Sequence, residues 1–136
     1  MYKRLPIVLL IIFCSACAKT KQTACGTQAC TDLFASVGVL YKDKNNNGVA
    51  LTNFTVTDLR TNKRLTNVIS ASANFVPGYW IIADDSNLKD LTTDGDNIQV
   101  TAIGPSGQTL STMFKVSGGC NCHVAKISGP DVVTVN

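Results

Sequence analysis

The sequence contains no glutamate; all nine of its acidic side chains are aspartate. Glutamate is a good helix former and aspartate is not, whereas the abundant Thr and Val favour pleated sheet and Asn favours turns. The composition leans away from helices and towards an all-β protein. Histidine and tryptophan occur once each, as His123 and Trp80. A lone histidine excludes any metal motif built on a His pair, and no Gly-x-Ser-x-Gly segment is present for a nucleophile elbow. A charge excess is missing too: without residues 1–16, which hold Lys3 and Arg4, the chain is close to neutral. No basic patch argues for nucleic acid. The longest apolar run, Leu5 to Phe13, falls well short of the roughly 20 residues of a membrane-spanning helix.

That short run follows Lys3 and Arg4 and ends in small residues at Cys17, the charge, core and cleavage pattern of a secretory signal. Residues 1–16 are set aside from the fold. Cys14-Ser15-Ala16-Cys17 resembles the bacterial lipobox, with Cys14 standing where that pattern usually has an aliphatic residue. The resemblance implies that Cys17 receives a diacylglyceryl group on its sulfur and becomes the mature N-terminus. Each buried acyl methylene contributes about 0.8 kcal/mol, so the protein would be tethered to a membrane and not integral to it. The alternative is an ordinary cleaved signal with incidental cysteines. Residues 17–29 are polar and small and are expected to form a flexible tether. Residues 30–136 are of a length for one domain. The tether is basic and lacks an acidic run, which points to the outer membrane of the cell envelope and its periplasmic face.

Apolar alternation runs through the rest of the chain. Leu33, Ala35, Val37, Val39 and Tyr41 form one face of a half-buried strand, and Phe54 and Val56 point inward in the next. "RLTNVISAS" suggests an irregular edge strand. "GYWIIADD" is apolar on both faces, which suggests a central strand. Ile98, Val100 and Ala102 alternate, as do Leu110, Thr112, Phe114 and Val116, with "GPSGQ" as a hairpin signal between the two runs. "CHVAKIS" and "DVVTV" flank a break at Gly129-Pro130. Residues 86–96 read as a loop with room for one helical turn. About seven short strands without helical period predict a single antiparallel β-sandwich with Greek-key connections.

"DKNNNGVALTNFTVTDLRTNKRLT" resembles the opening of carboxypeptidase-regulatory-like and transthyretin-like sandwiches, in which strand, polar Gly turn and second strand recur. "ACTDLF", "GYWIIADD" and "GCNCHVAKISGPDVVTV" are together similar to a group of small bacterial lipoproteins with no assigned activity. The resemblance implies an immunoglobulin-like or transthyretin-like fold and no particular reaction.

Four motifs bear on function. Asp43, Asn45, Asn47 and Gly48 match the start of a twelve-residue calcium loop, but its last position falls on Phe54, where a bidentate Glu is needed. Asn and Gly also serve a hairpin turn directly, because they tolerate positive φ, and a hairpin joining the first two strands is the expectation. Cys25, Cys30, Cys120 and Cys122 could hold zinc with His123, but export favours disulfides. Of three possible pairings, bridging Cys120 to Cys122 would strain a very small ring, which leaves two cross-pairings; Cys30 with Cys122 is expected because each lies immediately beside a strand, leaving Cys25 for Cys120. Phe75, Tyr79 and Trp80, followed by Asp84 and Asp85, could form an aromatic platform for a glycan or peptide, or could fill the core. His123 could serve a small hydrolase or be purely structural.

The expected function is therefore binding or scaffolding without catalysis or cofactor. Its partners would be a membrane, through the lipid, and an envelope protein or glycan. A calcium- or carbohydrate-binding accessory module and a small hydrolase using His123 are the alternatives.

Overall fold

The computed structural model describes residues 25–65 and 76–136. Residues 1–16, Cys17 and Phe75 lie outside them, as does most of "RLTNVISAS". The described chain is a β-sandwich with eight strands: β1 (Ser36–Lys42), β2 (Thr52–Asp58), β3 (Lys63–Arg64), β4 (Tyr79–Asp84), β5 (Asp96–Ile103), β6 (Thr109–Ser117), β7 (Ala125–Ser128) and β8 (Val132–Thr134). One sheet has the order β4-β1-β8 and the other β3-β2-β5-β6-β7. Pairing is antiparallel except between β1 and β8, which run parallel. No helix among the described residues is long and apolar enough to cross a membrane.

Alternation builds the core. Val37, Val39 and Tyr41 of β1 face Val56, Ile98, Val100, Ala102, Phe114 and Val116 of the larger sheet in one buried cluster. The Tyr41 hydroxyl donates across the sandwich to Thr112 Oγ1. Burial pushes the phenol's pKa up, and that hydrogen bond opposes the rise. The apolar face of β1 begins later than its pattern suggests, because Leu33 precedes the strand and is exposed.

The expectation of a central strand at "GYWIIADD" is corrected. Among the described residues β4 pairs only with β1, at the edge of its sheet. Its register shifts between Val37 and Gly38, which pair with Ala83 and Ile81 and leave Ile82 as the extra residue of a bulge. A bulge breaks the two-residue period, so Ile82 and Ala83 are both buried although only one face of the strand meets the core.

The hairpin at residues 43–48 is corrected as well. The turn exists, with Asn46 at φ 64°, and one bridge pairs Lys42 with Gly48. Yet β1 and β2 belong to different sheets, so the turn starts a crossover, with Leu51 entering the core on the way. The chain changes sheets again at Gly129 (φ 122°), between β7 and β8. "GPSGQ" forms its hairpin, closed by Gly104 N donating to Gln108 O at 2.9 Å.

The registers define two ends. The lower end gathers residues 25–36, 84–95 and 118–124, joined by Gly119 N donating to Leu88 O and Val124 N to Asp85. The upper end holds the 43–48 turn, residues 76–78, the 104–108 hairpin and the C-terminus, where Gln108 Nε2 donates to Asn136 O.

Candidate functional site

The lower end concentrates the chemistry-bearing side chains. Two disulfides join Cys25 to Cys120 and Cys30 to Cys122, the cross-pairing expected from the sequence. They fasten the segment before β1 to the loop between β6 and β7. With their sulfurs bonded pairwise, these cysteines offer no thiolate to zinc. The bridge at Cys25 also shortens the expected tether, because the chain is already attached to the domain four residues before Ala29.

Asp85 sits between the same two segments. Its Oδ2 accepts from Ala35 N at 2.8 Å and from His123 Nδ1 at 2.7 Å, and its Oδ1 accepts from Val124 N at 2.9 Å. Burial alone would raise this carboxyl's pKa, but the hydrogen bonds from Ala35, His123 and Val124 outweigh it and hold the value below the usual range. The ionised carboxylate accepts the Nδ1 proton, so in the neutral ring Nε2 is left to accept from the Thr31 hydroxyl at 2.9 Å. Thr31, His123 and Asp85 thus stand in line. The order is that of a hydroxyl, a base and an orienting acid, built here across the arm that the disulfides fasten.

Asp84 and Asp85 are both engaged with backbone N–H groups. Asp84 caps a single 3-10 turn, Asp85–Asn87: its Oδ1 accepts from Ser86 N at 2.9 Å while Asn87 Oδ1 accepts from Asp84 N. Tyr79 and Trp80, the described members of the aromatic trio, part company, since neighbouring strand residues point to opposite faces. Trp80 stacks on Phe54, with ring centroids 4.6 Å apart, against the core. Its indole N–H is buried without a hydrogen-bond partner among the described residues. Tyr79 covers Gly38, where a Cβ would collide with its ring.

The calcium candidates are engaged with each other at the upper end. Asp43 Oδ1 accepts from Asn45 N and Asn47 N, both at 2.8 Å, and Oδ2 accepts from Asn47 Nδ2 at 3.2 Å. The Asn47 backbone and amide donors hold the Asp43 carboxyl pKa low. Among the described residues no group of three or more His, Cys, Asp or Glu side chains is placed to hold a metal.

Compared with known proteins, the chain matches no family model, no curated protein and no solved structure. Its site therefore has to be read from its own residues.

Sequence reasoning missed a second carboxylate group at this end of the sandwich. Asp58 and Asp96 are buried around Arg60, whose Nε donates to Asp96 Oδ1 at 2.8 Å and whose second guanidinium nitrogen reaches Asp90 O at 2.7 Å. Thr92 donates to Asp96 through both its N–H and its hydroxyl. The group ties the β2–β3 turn to the loop before β5. The available signal was an Asp two residues before Arg60 at a turn start, where its carboxylate takes the Arg60 N–H. The missed member of the Asp85 site is Thr31, which no motif singles out.

Proposed function

We propose that this protein is a lipid-anchored β-sandwich of the bacterial cell envelope with a binding or scaffolding role and no catalysis, of the kind its resemblance to small lipoproteins implies. The observation that supports this most is the covalent fastening of the chain at Cys25 and Cys30, close behind the lipobox-like Cys14-Ser15-Ala16-Cys17. Disulfides persist in oxidising compartments outside the cytosol, and a tether under load needs a firm point of attachment. On this reading acyl chains on Cys17 hold the lower end near the membrane. The upper end, with its 43–48 and 104–108 turns, is left free to meet an envelope protein or glycan. Cys17→Ser is expected to move the protein from the membrane fraction to the soluble fraction. Retention of the variant on membranes after a high-salt wash would reject the anchor.

A small hydrolase using His123 is the second reading, and the line of Thr31, His123 and Asp85 favours it. Its test is ester hydrolysis by the purified protein: activity lost in both Thr31→Val and His123→Gln would establish it. Activity unchanged in either variant would leave the line a structural clasp.

A further inference from the structure

We infer that Leu33 and Phe34 form a membrane-docking foot, seated in the interfacial region of the bilayer to which the chain is tethered. This rests on the lipid-anchored reading and adds to it an orientation and a contact. These are the two most exposed large apolar side chains described, at 75% and 69%. They are adjacent, and together they present an aliphatic and an aromatic group with little polar cover.

Their exposure is built in. On one side the chain is fixed by the Cys30–Cys122 bridge and by Thr31 on His123. On the other, Ala35 N is held by Asp85. The backbone between these fixed points cannot slide to bring Leu33 into register with the buried Val37 and Val39. The pair is therefore held at the surface at the lower end, where the sequence pattern alone would have placed Leu33 in the core.

The length of the tether selects the occupant. Cys25, where the first disulfide fixes the chain, lies eight positions after Cys17. A stretch of that length reaches at most about 28 Å. A domain of this size has a radius of gyration of about 13 Å, so its lower end cannot move far from the lipid that anchors it. Paired apolar and aromatic side chains partition into the headgroup boundary, where an aromatic ring is favoured. The only charged side chain from residue 25 to residue 36 is Asp32, so the foot itself presents no cation to an anionic headgroup, and zwitterionic lipid suffices to test it.

The test uses the full lipidated protein in phosphatidylcholine vesicles, with and without bromine on the acyl chains. Phe34→Trp places an indole at the foot, and Ser106→Trp places one in the exposed hairpin at the upper end; the wild type, with Trp80, supplies the baseline. The emission added at position 34 is expected to fall at least twofold in brominated vesicles, and that added at position 106 to stay unchanged. Equal quenching at both positions, or none at position 34 with the protein vesicle-bound and Cys17 acylated, would overturn the docking while leaving the anchor intact. A blue shift at position 34 without quenching would also overturn it and would assign the pair to a contact between two copies. A chain found unacylated at Cys17 and unbound would overturn both.

Discussion

Asp85 carries more structural responsibility than its place in an Asp pair suggests. Removing its carboxylate leaves the N–H groups of Ala35 and Val124 and the ring of His123 without their acceptor. An unsatisfied donor costs about 1–3 kcal/mol when buried, and these are half-buried. Asp85→Ala is expected to lose roughly 2–3 kcal/mol of unfolding free energy in urea. The depressed carboxyls of Asp85 and Asp96 also fix the sign of the acid response. A group whose folded pKa lies below its unfolded value adds stability above the unfolded value, about 4 for Asp. That stability is lost as pH falls through the folded pKa. The melting temperature is expected to drop steeply below about pH 4, and Asp85→Asn to flatten that drop; a variant as acid-sensitive as the wild type would contradict the assignment. None of this was legible beforehand, because an Asp pair in sequence carries no record of which backbone N–H groups will arrive from residues 35 and 124. The cysteines were legible, since ring size disfavours a Cys120–Cys122 bridge and the nearness of Cys30 and Cys122 to strands chooses between the two cross-pairings.

At the scale of elements, the bridges and strands gave unequal returns to sequence reading. Period-two alternation located β5 and β6 residue by residue, because both are regular and flank one tight hairpin. It misread β4, where a bulge at Ile82 imitates burial on both faces, and it misread the 43–48 turn, whose local chemistry is the same for a hairpin and for a crossover. The two disulfides act as one device with uneven parts. Closing the long loop between Cys25 and Cys120 is worth about 4.7 kcal/mol in the chain-entropy model, and the second bridge then closes only a small ring worth roughly 2.5 kcal/mol. Loss of either bridge alone, in Cys25→Ala/Cys120→Ala or Cys30→Ala/Cys122→Ala, is therefore expected to cost about 2.5 kcal/mol. Loss of both is expected to cost about 7 kcal/mol. Chemical denaturation of the three variants checks the ratio; a double loss that costs only the sum of the two single losses would contradict it.

For the whole molecule, the all-β sandwich followed from composition and alternation, and the structure adds a mixed sheet in which β1 runs parallel to β8. The polarity of the domain was hidden, since it depends on which loops share an end. The lower end holds both disulfides, the Asp85 cluster and the exposed Leu33 and Phe34, while the C-terminus lies at the other end beside the 104–108 hairpin. That polarity is what a tethered domain would use, and the proposed role depends on the tether carrying lipid. The most direct measurement is the mass of the N-terminal peptide of the protein recovered from membranes. The account predicts a chain beginning at Cys17 with a diacylglyceryl group on its sulfur. An N-terminus at any other residue, or an unmodified Cys17, would contradict it.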